Sequence, residues 1–189
     1  MRIIAGRHRG TRLAQPAGSD TRPTGDRVRE SLFSILQGGR FGDVLEDAVT
    51  IDAFAGTGAL GLEALSRGGA HASFIERNQA ALTVLRSNIR RLGREADTRV
   101  IAGDALSLTG WREAPASLMF ADAPYGSGGG LKAALNLARI GALAPAALVI
   151  LETDRTERPD PELMTTGGFK MIDSRRYGRA MLHFLRTGD

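Results

Sequence analysis

Between Val49 and Glu152 the chain alternates short apolar runs with amphipathic stretches, and this alternation limits the fold more than any other feature. The spacing predicts strands at 49–54, 71–76, 99–102, 118–121 and 147–152, with helices at 59–67, 79–92 and 131–140. Leu82, Leu85, Ile89 and Leu92 recur as one helical stripe. The run Ala147-Leu148-Val149-Ile150-Leu151 is apolar without a break, as a central strand covered on both faces must be. Such β-α-β order implies a parallel sheet wrapped by helices. Two further strand-like runs, 169–177 and 180–186, are joined only by Gly178 and Arg179. That link is too short for a parallel crossover, so the pair is an antiparallel hairpin. The expected fold class is α/β: a seven-stranded, Rossmann-like sheet, mostly parallel, closing on a C-terminal antiparallel hairpin.

Ahead of this region, residues 2–6 and 11–14 read as a small β-hairpin, and 15–25 as a linker rich in Pro and Gly. Residues 26–36 read as a helix, with Val28, Leu32, Ile35 and Leu36 on one face and Arg27 and Arg29 off it. The 189 residues suit one domain, divided here into a basic extension at 1–22 and a main domain at 23–189. Residues 1–40 hold eight Arg against three acids, while the remainder balances to about −1, so the net charge of +4 arises in the N-terminal fifth. A concentrated basic segment is the footprint of a polyanion-binding protein. Arg7, Arg9, Arg12 and Arg22 are the candidate contacts to a polyanion such as RNA, because the guanidinium fork matches phosphate oxygens.

Zero cysteines exclude disulfides, thiolate zinc sites, iron–sulfur clusters and thiol nucleophiles. His8, His71 and His183 match no metal-binding spacing, so no metal is expected. No apolar run approaches the roughly 18 residues of a membrane span, and the first ten residues lack the apolar core of a secretory signal. A cytoplasmic, monomeric protein is expected.

The segment Ile51-Asp52-Ala53-Phe54-Ala55-Gly56-Thr57-Gly58-Ala59-Leu60-Gly61 carries G-x-G-x-x-G spacing between a strand and a helix. Alone it suggests any nucleotide binder. Glu76, with its neighbour Arg77, ends the second strand 20 residues after Gly56, where a carboxylate can accept hydrogen bonds from ribose hydroxyls. Asp104 and Ala105 follow the third strand at the same sheet edge. A dinucleotide would place its pyrophosphate on the helix N-terminus and would need a site free of negative charge. Here Asp52, Asp104 and Asp122 all end strands. Carboxylates in that arrangement suit a ligand with cationic groups and no phosphate, and S-adenosylmethionine has a sulfonium, an ammonium and ribose hydroxyls.

Residues 122–125 read Asp-Ala-Pro-Tyr and resemble the [Asn/Asp]-Pro-Pro-[Tyr/Phe] motif of methyltransferases that act on planar amino groups. An exocyclic amine conjugated to a ring is a poor nucleophile, because its lone pair is delocalised. The Asp122 carboxylate and the Ala123 carbonyl can hold its two N–H groups and free the lone pair to face a methyl donor. Tyr125 can stack on the base. Ala123 stands where the motif has its first Pro; the carbonyl survives, while a fixed φ angle is lost. The glycine-rich stretch 126–130 is expected to be a mobile lid.

With these motifs, nearly the whole chain resembles the RsmD-type 16S ribosomal RNA guanine-N2 methyltransferases. The resemblance rests on Arg2-Ile3-Ile4-Ala5-Gly6, Arg9-Gly10, Arg22-Pro23-Thr24, Arg27-Val28-Arg29-Glu30-Ser31-Leu32-Phe33, the segment 52–68, and Phe74-Ile75-Glu76. It implies S-adenosylmethionine as cofactor and a partly assembled small ribosomal subunit as partner. It also implies that Asp52, Phe54, Gly56, Gly58, Glu76, Arg77, Asp104 and Ala105 surround the cofactor. Asp122, Ala123, Pro124 and Tyr125 would then hold the guanine, with Thr24 and Arg27 touching cofactor or RNA. Two alternatives remain open: a non-catalytic RNA-binding assembly factor, or an amino-methyltransferase acting on DNA adenine or a protein glutamine. A pyrimidine C5 methyltransferase is disfavoured by the absence of cysteine.

Overall fold

The computed structural model describes residues 1–16 and 23–188. Seven strands form one sheet: β1 (Val49–Asp52), β2 (His71–Glu76), β3 (Thr98–Ala102), β4 (Ala116–Asp122), β5 (Leu143–Asp154), β6 (Phe169–Tyr177) and β7 (Ala180–Thr187). Their order is β3-β2-β1-β4-β5-β7-β6. Strands β1 to β5 pair in parallel, and β7 is antiparallel to both β5 and β6. Strand order reverses between β1 and β4, and an open α/β sheet binds ligands outside the carboxyl ends of its strands at such a point.

Two helical layers cover the sheet. Helices α1 (Pro23–Gln37), α2 (Ala59–Ser66) and α3 (Gln79–Arg91) lie on one face, with α4 (Gly129–Arg139) and α5 (Pro161–Thr166) on the other. The two-sided burial of β4 shows why residues 118–121 are apolar without a break. Leu118 and Phe120 pack with Val28, Leu32, Phe33 and Leu36 of α1, whereas Met119 and Ala121 pack with Leu131, Ala134 and Leu137 of α4. Gly61 lets α2 lie directly on the sheet: a Cβ there would come within 2.4 Å of Phe74 Cε1.

The N-terminal residues pair as a short antiparallel hairpin: Arg2 bridges Arg12, Leu13 N–H donates to the Met1 carbonyl at 3.2 Å, Ile3 N–H to the Thr11 carbonyl at 3.0 Å and Gly10 N–H to the Ile3 carbonyl at 2.9 Å. The backbone groups outside that pairing bond to α2 and α3. Ile4 and Ala5 donate their N–H groups to the buried Glu63 carboxylate at 2.8 and 3.0 Å. His8 N–H donates to Ser66 Oγ, and Ala14 exchanges two hydrogen bonds with the Asn88 amide. Gly6 has φ +79° and sits so close to Ser66 that a Cβ would lie 1.7 Å from its carbonyl oxygen. Ile3 and Leu13 are buried against Leu62, Leu65 and Leu85.

Some expectations shift. Helix α1 begins at Pro23, inside the segment read as linker, since Pro is well placed in a first helical turn. Arg29 is not off the packed face: it is buried, and its guanidinium donates to the Arg2 carbonyl at 2.7 Å. Helix α5 was not anticipated, although Asp160 caps it through Glu162 and Leu163 N–H and Pro161 opens it. No helix among the described residues is long and apolar enough to cross a membrane.

Candidate active site

A cavity of about 880 Å³ opens at the carboxyl ends of β1, β2, β3, β4 and β5. The predicted residues Phe54, Glu76, Arg77, Asp104, Ala105, Asp122, Ala123, Pro124 and Tyr125 line it together. Other predicted residues stand elsewhere. Asp52 is fully buried beneath the glycine loop and accepts the Gly61 N–H at 3.1 Å, so it shapes the loop rather than the cavity wall. Gly56 and Gly58 form that loop, and Gly58 caps the start of α2 in the left-handed region. Arg27 is exposed on α1 and is not part of the lining. Arg22 and the Thr24 side chain lie outside the described residues.

Glu76 ties two loops to one carboxylate. Oε2 accepts the Gly56 N–H at 2.8 Å, while Oε1 accepts those of Arg77 at 2.8 Å and Asn78 at 2.7 Å. A carboxylate offers about four lone-pair sites, so capacity remains for ribose hydroxyls. Asp104 accepts the Leu106 N–H with one oxygen and pairs with Arg77 through the other, at 2.9 Å. Between these acceptors Ile75, Ala105 and Leu106 supply an apolar surface for a planar ring. The acceptor set therefore fits a nucleoside with free hydroxyls, and its negative charge fits a cationic tail.

The other half of the cavity belongs to β4 and β5. Asp122 and Glu152 are register partners on adjacent parallel strands and face the same space. Tyr125 donates its hydroxyl to Glu152 Oε1 at 2.9 Å, and the Arg179 guanidinium lies 5.9 Å from the Tyr125 ring centre. Solvent reaches Asp122 through the mouth, yet protein atoms crowd its remaining sides. Loss of solvation first, then the Glu152 and Asp52 charges, push the Asp122 carboxyl well above the usual range. Burial raises Glu152 too, against the Tyr125 hydrogen bond that favours its charged form. Asp52 is pushed up to about 7, chiefly by burial.

The loop after Tyr125 is anchored rather than free. Gly126 and Gly128 donate to the two oxygens of Glu157, each at 2.8 Å. Ser127 Oγ donates to the Pro124 carbonyl at 2.6 Å and accepts from Gly129 N–H at 3.0 Å. The expected lid is thus fastened by a carboxylate 29 to 31 residues away. Sequence reasoning missed Glu152, Glu157 and Arg179. Glu152 alone left a signal, since it ends an apolar strand at the same edge as Asp122.

The turn of the basic extension sits at the end of α2 away from the cavity. This turn, with exposed Arg7 and Arg9, is held by the Arg7 N–H on the carbonyl of Ser66, the last residue of α2. Helix α2 starts beside the cavity and ends near the beginning of β1, where Asp47 N–H meets the Gly68 carbonyl. Eight helical residues, about 12 Å, therefore separate the turn from the site edge. The chain then climbs back along α3 through the exposed Arg12.

Known proteins share this arrangement. A family model described as Conserved hypothetical protein 95 matches residues 1–186. "Ribosomal RNA small subunit methyltransferase D" of Escherichia coli strain K12 is 40% identical over 155 residues, which cover 82% of this chain and 75% of that protein. The chain belongs to this family, the RsmD family. Among relatives of this RsmD-family protein is "Putative rRNA methyltransferase YlbH" of Bacillus subtilis strain 168. It is 35% identical over 183 residues and 94% of each chain is covered. The solved structure "Putative methyltransferase yhhF from Escherichia coli" superposes with a TM-score of 0.81 at 34% identity. That match covers 100% of the RsmD-family chain and 98% of the other. The chain thus has the α/β fold of a methyltransferase.

Proposed function

We propose that this protein transfers a methyl group from S-adenosylmethionine to the exocyclic N2 of a guanine in small-subunit ribosomal RNA. Methyltransferase activity on rRNA is supported by the family and by relatives bearing that name. The observation that carries the finer reading is Asp122-Ala123-Pro124-Tyr125 at the end of β4, facing the cavity beside the β1/β4 switch point.

When bound, S-adenosylmethionine supplies an electrophilic methyl on a sulfonium. Glu76 holds the ribose hydroxyls, Phe54, Ala105 and Leu106 border the adenine, and Asp104 with Arg77 closes that side. Asp52 keeps the glycine loop in shape through Gly61. At the other end, the Asp122 carboxylate and the Ala123 carbonyl accept the two N2–H bonds and turn the lone pair out of conjugation. Pro124 fixes the turn that brings Tyr125 against the base. The raised Asp122 carboxyl also suits it to receive the proton that N2 releases. To reach this depth the guanine must leave its stack.

Arg7, Arg9 and Arg12 contact RNA backbone remote from the target base, which calls for a large folded substrate such as a partly assembled subunit, and Arg22 is a further RNA contact. The protein acts as a cytoplasmic monomer whose basic extension, 1–22, serves the methyltransferase domain, 23–189. Labelled S-adenosylmethionine, small subunits lacking their modifications and nucleoside digestion test the reading. N2-methylguanosine is expected from the wild type and is lost with Asp122→Ala. Cofactor binding without any labelled guanosine would overturn the acceptor assignment.

A further inference from the structure

Glu152 has no role in the account above, yet it faces the same space as Asp122. Three observations bear on it. Register pairing places Asp122 and Glu152 side by side on β4 and β5, with both carboxylates on one cavity wall. Tyr125 approaches Glu152 as a hydrogen-bond donor, which orients the carboxylate and holds it as an acceptor. Finally, Ala123 lines the same wall and carries a backbone carbonyl, so the ends of β4 and β5 contribute three acceptors there, with the cations Lys132 and Arg179 also on the cavity lining.

The nucleobases differ at the edge that such a wall would meet. Guanine presents three adjacent N–H bonds, one on N1 and two on N2. Adenine presents two on N6 beside a bare N1 lone pair, and cytosine presents two on N4 beside a bare N3. A lone pair aimed at a carboxylate is repelled and leaves both groups unpaired, a strong basis for rejection. The Asp122 carboxylate and the Ala123 carbonyl suffice for the two amino hydrogens. A third acceptor is needed only for N1–H.

We propose that Glu152 is the residue that selects guanine, by accepting its N1–H while Asp122 and Ala123 hold the N2 amine. The assignment rests on the guanine-N2 reading given above and deepens it. Tyr125 then has two tasks: its ring bears on the base, and its hydroxyl sets the angle of the reading carboxylate.

The test changes the base on one side and the side chain on the other. 2-Aminopurine keeps the 2-amino group of guanine, lacks O6 and carries a bare lone pair at N1, and comparing the base ratio between variants isolates the N1 contact. The mapped target guanine in a small-subunit RNA, reconstituted with its proteins, is replaced by 2-aminopurine, and kcat/KM is compared for both bases. Wild-type protein is expected to favour guanine by on the order of 100-fold or more. Glu152→Gln offers an amide N–H to the bare N1 and keeps an oxygen for the Tyr125 hydroxyl. That variant is expected to lower guanine turnover, raise 2-aminopurine turnover and shrink the ratio by at least about tenfold. A purely structural glutamate would lower both rates and leave the ratio alone, so a ratio unchanged within about threefold overturns the proposal. Tyr125→Phe covers the case in which Glu152→Gln does not fold: it leaves Glu152 charged but unoriented, and the ratio is again expected to fall. Should the wild type form no N2-methylguanosine at all, the guanine-N2 reading fails and this inference goes with it; a normal product with an unmoved ratio defeats the inference alone.

Discussion

Replacing Glu76 by Gln removes one charge and one acceptor, and the geometry says where each is felt. Both carboxylate oxygens are already engaged, Oε2 by Gly56 N–H and Oε1 by Arg77 and Asn78 N–H. An amide nitrogen has two hydrogens and no acceptor lone pair. Whichever way the Gln side chain is turned, its NH2 faces a backbone N–H. One backbone donor loses its partner in the first orientation, and two do in the second. Glu76 is only partly buried, so water recovers some of the loss and the cost stays near the lower end of about 1–3 kcal/mol. At roughly 2–4 °C per kcal/mol for a chain of this size, the melting temperature is expected to fall by about 2–8 °C. The cofactor loses a charge-assisted contact to its ribose and a correctly shaped loop, together about 1.5–3 kcal/mol, or roughly 10- to 150-fold in Kd. Isothermal titration with S-adenosylhomocysteine and a thermal melt measure the two effects separately. A Gln variant that binds within twofold of the wild type and melts at the same temperature would refute both halves of the argument. A lower melting temperature with unchanged affinity would refute the ribose contact alone.

Four further outcomes follow from the same geometry. Because the Asp122 carboxyl is raised, falling pH protonates it and leaves it unable to take the N2 proton, so kcat/KM should rise with pH through a midpoint above the ordinary carboxylate range; Asp122→Asn, which keeps a carbonyl acceptor but does not titrate, should flatten that limb, and an equally steep variant profile would exclude Asp122 as its source. Asp52 titrates near 7 in the folded chain against 3.8 ordinarily. Between these values the native state holds a proton that the unfolded chain has lost, so stability falls as pH rises through this window and is level above it. Asp52→Asn should therefore gain on the wild type between pH 5 and pH 8, by on the order of a few kcal/mol, in urea melts at both pH values; a stability difference between the two proteins that is the same at both pH values would contradict this. Glu63→Ala should cost about 3–5 kcal/mol, since it strands the buried Arg67 and frees the Ile4 and Ala5 N–H groups; a melting temperature within 3 °C of the wild type, about 1 kcal/mol, would show that the extension is not fastened there. Removing charge at Arg7, Arg9 and Arg12 together should lower the salt slope of RNA binding by about 2–3, whatever the RNA sequence, and an unchanged slope would exclude the arm as a backbone contact.

Much of this protein is legible in local patterns. Alternating apolar runs and helical stripes report on whole elements, so the seven strands and the parallel-then-antiparallel order could be read residue by residue. The residues closing β1, β2, β3 and β4 were legible for a related reason: in a parallel sheet with helical crossovers, every strand's carboxyl end arrives at the same edge. Glu76, Asp104 and Asp122 therefore had to converge, whatever the intervening sequence. Pairwise long-range contacts leave no such trace. Glu157 reaches Gly126 and Gly128 across about 30 residues, and nothing in its neighbourhood marks it as the anchor of that loop. Helical spacing puts Arg29 off the apolar face of α1, and the N-terminal residues, packed over it, bury it. The basic extension shows the same limit most clearly. Its charge was plain in the sequence, but the place of its turn at the far end of α2 follows from the hydrogen bonds that its backbone makes to Glu63, Ser66 and Asn88. Composition decided the charge of the segment, and tertiary hydrogen bonds decided where on the molecule that charge is displayed, because such bonds join residues far apart in the chain and leave no periodicity behind.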